Sequence, residues 1–236
     1  MHKKRGYNRE TPLVPVRDYR LFAIACEGQK TEPQYFELFS HMSRKIKVDI
    51  IDYEIAETTE NTIKNYKSAP NWVLDKAVKY IETFGFIDED TLWFVLDVDR
   101  WDKEQLRKIA QLCEDKPNWH IVLSNPCFEV WLYFHKKANI EVSGSHSCRD
   151  FKHEISTFEK GGYHPLKFIS DLEKAINNAE AADNHKDHYY SEFKETKVYL
   201  LGKALLDKIG RKSLYEFIST RLPELTIQKT KKSKKL

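Results

Sequence analysis

Three short, largely apolar runs constrain this chain more than any other feature: Leu21–Ala25 (LFAIA), Thr91–Leu96 (TLWFVL) and Trp119–Leu123 (WHIVL). A brief run with little polar alternation suits a strand buried on both faces, as in a parallel sheet covered by helices. Between the runs, apolar residues recur at helical spacing. Tyr35, Phe36, Leu38 and Phe39 follow the first run, and Trp72, Val73, Ala77, Tyr80 and Ile81 lie within 71–84, before the second. Residues 103–112 form an amphipathic stretch after the second run, and Phe128–Phe134 reads as helical after the third. A further strand is expected over Val48–Ile55, where alternation is partial. This order predicts an α/β sandwich around a mainly parallel central sheet.

Finer signals divide the chain. Thr31 is placed to cap a helix with Pro33 in its first turn. The pattern weakens from Lys136 to Pro165 (SGSHS, then GGYHP), and helical periodicity returns over 166–182 and 194–209. The expected organisation is a core over 20–135, a helical extension packed on it over 136–228, and basic flexible tails at 1–19 and 229–236. Against an overall charge of +3, residues 1–20 carry +4 and residues 229–236 carry +5, which leaves the body between them at −6. Basic tails can add non-specific phosphate contacts, and they also aid solubility.

A hydrophobic share of 41% suits a packed chain rather than a disordered one. No apolar run approaches the roughly 18 to 20 residues of a membrane span, and the first residues lack the apolar block of a signal peptide. Cys26, Cys113, Cys127 and Cys148 stand far apart without a C-x-x-C pair, so neither a zinc knuckle nor a disulfide framework is expected. The expected location is the cytoplasm.

Each apolar run ends in a polar turn carrying or preceding an acid: Cys26-Glu27-Gly28, then Asp97-Val98-Asp99-Arg100, then Ser124-Asn125-Pro126 with Glu129 just beyond. Ligands of open parallel sheets bind outside the carboxyl ends of the strands. Adjacent strands would bring these carboxylates to one edge, where like charges raise one another's pKa unless a cation neutralises them. Oxygen-only ligands suit Mg²⁺ or Mn²⁺. If the strand continues past Asp97, its period of two puts Asp97 and Asp99 on one side. Any one of these acids alone also reads as a helix cap or a solvated sheet edge.

The stretches CEGQKTEPQYF (26–36), FVLDVDR (94–100) and SNPCFEVWLYFH (124–135) resemble the signature blocks of the RloB family. ETKVYLLGKALLD (195–207) resembles its C-terminal helical motif. That family is similar to Toprim-domain nucleases of bacterial defence and restriction loci. The resemblance implies a Toprim-like core in which Asp97 and Asp99 hold Mg²⁺ and Glu27 binds metal or does acid–base work. Glu129 matches the acid of the Asn-Pro block, where it completes a second metal site or caps the next helix. The implied activity is a metal-dependent endonuclease acting on RNA, including tRNA, or on DNA, in antiphage defence.

Lys30 and Arg100 lie near these acids in sequence and can hold phosphate oxygens, or form surface salt bridges. Asn125 can bond the substrate backbone or pin its own turn. His135, His146, His153, His164, His185 and His188 show no zinc spacing, and the tryptophans suit core packing, Trp101 being the one placed in a loop where it could stack a base. Nothing here reads a base or a 2′-hydroxyl. A competing reading is a non-cleaving metal- or nucleotide-binding sensor that works with a partner ATPase, since the chain lacks a phosphate-binding P-loop of its own. A homodimer is compatible with either.

Overall fold

The computed structural model describes residues 17–51, 70–140 and 147–233. Four parallel strands form its sheet in the order β2-β1-β3-β4: β1 (Arg20–Cys26), β2 (Ile46–Ile50), β3 (Thr91–Asp97) and β4 (Trp119–Ser124). α1 (Thr31–Phe36) and a 3₁₀ turn (Glu37–His41) connect β1 to β2, α2 (Pro70–Phe84) precedes β3, and α3 (Lys103–Glu114) joins β3 to β4. Then follow α4 (Glu129–Lys136), α5 (Cys148–Phe158), α6 (Pro165–Phe168), α7 (Leu172–Ala182), α8 (Val198–Ile209), α9 (Arg211–Glu216), a π-helical turn (Phe217–Arg221) and α10 (Leu222–Ser233).

The central strands β1 and β3 are apolar on both sides because both sides are covered. Along β1, Phe22 and Ile24 face a cluster that contains Tyr35, Phe128, Trp131, Leu172 and Leu201, so α1, α4, α7 and α8 share one core with that face. Leu21, Ala23 and Ala25 alternate onto the opposite face, against Val73 and Ala77 of α2 and Leu106 and Ile109 of α3. A strand residue's direction alternates with period two, so a one-residue slip would exchange the two cores.

From β1 the chain passes outward to β2, whereas β3 and β4 lie on β1's other side. The reversal makes the carboxyl ends of β1 and β3 the switch point of the sheet, the place at which open parallel sheets have their ligand crevice. Among the described residues, no helix is long and apolar enough to cross a membrane.

Several local expectations shift. β2 begins at Ile46, two residues earlier than its alternation suggested, and residues 52–55 of the expected strand lie outside the described residues, as do 1–16 and 234–236 of the tails. The N-cap of α1 is Lys30 rather than Thr31, with no side-chain cap; the Thr31 carbonyl instead accepts the Tyr163 hydroxyl at 3.0 Å. Residues 194–197 are not helical, because Thr196 bridges antiparallel to Ser124. α10 carries the lysine-rich C-terminal segment as far as Ser233.

Candidate metal centre

The pairing of Cys26 with Val95 sets the level at which the first acid emerges. The Glu27 amide donates to the Val95 carbonyl at 3.2 Å, so Glu27 leaves β1 beside the last turn of β3. Its Oε2 accepts the Asp97 amide at 3.3 Å and the Trp101 indole N–H at 2.8 Å, and its Oε1 lies 3.6 Å from Arg100. The 97–101 turn therefore wraps one carboxylate. That side chain is 7% exposed while Arg100 is 64% exposed, so the guanidinium is screened by water and offsets little of the buried charge.

Asp97 closes β3 opposite Ser124. The next two amides turn away along β4's exit: Val98 donates to Ser124 at 2.9 Å and Asp99 to Pro126 at 3.2 Å. β3 ends at Asp97, so strand alternation stops short of Asp99. Asp97 is partly buried, whereas Asp99 is exposed and accepts the Cys148 thiol on Oδ2 at 3.0 Å.

Two buried acids face the same space. Glu129 opens α4, where the helix dipole favours an anion, and its Oε1 lies 3.5 Å from the exposed ammonium of Lys152 on α5. Glu32 in the first turn of α1 is 6% exposed, and its carboxylate folds over Gly28. A Cβ at position 28 would land on that carboxylate, so any larger residue would push the Glu32 side chain out of its present place.

The electrostatics follow from this convergence. Burial, followed by the charges of Glu32, Glu27, Glu129 and Asp99, pushes the Asp97 carboxyl well above the usual carboxylate range. Burial raises Glu27 as well, against the opposing pull of Trp101, the Asp97 amide and Arg100. Burial and then the charges of Glu129 and Glu27 raise Glu32. The Tyr163 hydroxyl, buried nearby, is raised by burial and then by Glu32 and Glu129. The Cys127 thiol is held protonated by its hydrogen bond to Cys148, by burial and by Glu129.

A carboxylate set this short of positive charge fits a hard divalent cation with oxygen ligands. Among the described residues, no three His, Cys, Asp or Glu side chains close into a cage. Mg²⁺ needs only one or two carboxylates beside water and substrate phosphate, so Asp97 and Glu27 would be the residues to hold it.

Of the residues singled out in the sequence, Glu27, Asp97 and Glu129 converge in this crevice, and Asp99 lies at its rim. Arg100 reaches Glu27; Lys30 is exposed at the start of α1. The Asn125 side chain donates to the Ser191 carbonyl at 2.9 Å, which ties its turn to a distant segment. His135 is buried between the Tyr35 hydroxyl at 2.8 Å and the Trp131 carbonyl at 3.0 Å, and His146 lies outside the described residues. Glu32, Lys152 and Tyr163 were missed. An acid in a first helical turn looks like an ordinary dipole partner, and only the glycine four residues before Glu32 hints at a side chain folding back.

A family model described as RloB-like protein matches residues 22–205, from β1 into α8. No curated protein and no solved structure matches the chain.

Proposed function

The chain belongs to the RloB-like protein family, and we propose that it is a divalent-metal-dependent nuclease that hydrolyses phosphodiesters of RNA or DNA in antiphage defence. The observation that carries this reading is the meeting of Glu27, Glu32, Asp97 and Glu129 at the sheet's switch point, with Asp97, Glu27 and Glu32 each raised by burial and by the charge of at least one neighbouring acid. Asp97 and Glu27 would hold Mg²⁺ or Mn²⁺, with Asp99 available at the rim. When bound, the cation supplies charge to a phosphate oxygen and stabilises the charge that develops there.

The chain's own groups supply the rest. Where Glu27 does not itself bind the cation, its raised pKa lets it hold or release a proton nearer neutral pH than an ordinary glutamate, and the Trp101 and Asp97 N–H groups fix its orientation. Arg100 and Lys152 reach the acids from exposed positions, and Lys30 stands nearby in sequence, so all three can meet the substrate's phosphates.

The test incubates the purified protein with total RNA and with plasmid in Mg²⁺ or Mn²⁺, beside a Glu27→Ala/Asp97→Ala double variant. Cleavage by the wild type alone is the expected result. Cleavage that persists in the variant removes this crevice from the mechanism, and cleavage of neither substrate, with or without an ATPase partner, favours a non-cleaving sensor.

A further inference from the structure

The segment from Asp183 to Lys197 has no helix or paired strand of its own beyond the Thr196 bridge, yet it is firmly tied. Lys197 Nζ lies 2.6 Å from Asp183 Oδ2 and 2.6 Å from the His185 carbonyl, and both side chains of the ion pair are essentially unexposed. Tyr199 donates to the same Asp183 oxygen at 2.8 Å. The Glu195 carboxylate accepts the amides of Asn184 and Glu192, both at 3.1 Å. The Ser191 hydroxyl donates to the Leu123 carbonyl at 2.8 Å, and the Lys194 amide to the Asn125 carbonyl at 2.8 Å. Burying an ion pair is costly, so this loop is held in one shape at some expense. Long irregular loops in compact chains are commonly functional.

The loop presents rings to solvent near the turn after β4, to which the Lys194 amide is tied. Phe193 is 50% exposed, and Tyr189 and Tyr190 are partly exposed with their rings 6.3 Å apart. Lys194 takes φ +70°, a left-handed conformation that costs a non-glycine residue, so the backbone that aims Phe193 is strained. Two rings carry an ammonium apiece: Lys103 lies 4.6 Å from the Tyr190 centroid and Lys194 5.6 Å from that of Phe193. Lys103 opens α3 two residues after Trp101, which holds Glu27, so this surface adjoins the crevice.

Each ammonium lies over a ring face and, on a flexible stem, can swing to a phosphate when a base takes that face, so ring and cation together match one nucleotide. We propose that the loop at 185–194 is a stacking platform for unpaired nucleotides, and that the strand entering the crevice is single-stranded; the second half of this statement rests on the nuclease reading. A duplex hides its base faces, whereas an unpaired base offers one to an aromatic side chain whatever its sequence. Asp187 and Glu192 in the same loop hold down its net charge, so stacking supplies more of the affinity than bulk Coulomb attraction.

The experiment measures fluorescence anisotropy of a short labelled single strand, and of the duplex of the same sequence, with full-length protein in chelator, where catalysis plays no part. The wild type is expected to prefer the single strand. Phe193→Ala is expected to weaken single-strand binding about ten-fold, Phe193→Trp to retain it, and neither to shift the melting temperature of this exposed site. Equal single-strand affinity in wild type and Phe193→Ala, or tighter binding of the duplex, overturns the proposal. Nuclease activity that fails while the Phe193 effect stands leaves the platform in place and removes only the cleavage reading.

Discussion

The indole N–H of Trp101 donates to Glu27 Oε2 at 2.8 Å, joining the loop after β3 to the carboxylate that follows β1. A hydrogen bond to a charged group contributes about 1.5–3 kcal/mol, and this one orients an acid that has little water left around it. Trp101→Phe is expected to lower Mn²⁺ affinity, read by titration calorimetry, by roughly ten-fold or more. The melting temperature in chelator should fall by a few degrees rather than collapse, because Glu27 keeps the Asp97 amide and Arg100 as partners. Wild-type affinity in the variant would show that the indole only packs.

Asp97 makes a prediction about cations and pH. Its folded pKa is raised, so its contribution to stability is full below the ordinary carboxylate range and is lost as pH rises through the folded value. At neutral pH the metal-free protein is thus destabilised by its own crevice. Asp97→Asn should raise the melting temperature in chelator. Mg²⁺ should stabilise the wild type, by about 2.7 kcal/mol at a hundred times its dissociation constant, and stabilise the variant much less. Equal Mg²⁺ shifts in both proteins would place the cation elsewhere.

His135 behaves oppositely. Burial lowers its pKa from 6.5 to about 3, although the Trp131 carbonyl favours the proton. Its stability contribution is complete above pH 6.5 and declines as pH falls toward about 3, because the unfolded chain takes up a proton that the folded one refuses. Denaturant unfolding across that window should show a smaller acid loss in His135→Gln than in the wild type. Parallel pH profiles would contradict it.

Lys197 and Asp183 pair at 2.6 Å with almost no exposure. Lys197→Met leaves the Asp183 charge uncompensated and should cost roughly 3–5 kcal/mol. Lys197→Met/Asp183→Leu should lose less than the sum of the two single changes, as read from urea midpoints. Additivity would mean that the two charges do not sense each other.

How far the sequence reveals the fold depends on how local the cause is. The runs at 21–25, 91–96 and 119–123 are read to within about a residue because a strand largely buried on both faces has few polar positions to blur it. β2 is an edge strand with Lys47 exposed and Asp49 and Ile50 half-buried, so its alternation is weaker and its start was misplaced. Glu27, Asp97 and Glu129 were legible because each follows a run that declares itself. Glu32 was not, since the groups it is coupled to, Glu129 and Tyr163, stand roughly a hundred or more residues away in sequence. The helix expected from Lys194 starts only at Val198, because Thr196 and Lys197 are drawn to partners on β4 and in the loop before them.

The clasp that closes β4's exit has a bearing on how the protein is made. Ser124 and Thr196 share a hydroxyl contact at 2.7 Å across 72 residues, and Asn125 binds Ser191 and Glu195 from equally far along the chain. A ribosome that has already delivered Glu27, Glu32, Asp97 and Glu129 must still synthesise, and release from its exit tunnel, the residues that lock the turn between the last strand and Glu129. The acids therefore assemble late, and a nascent or truncated chain carries them without the fastening that sets their geometry.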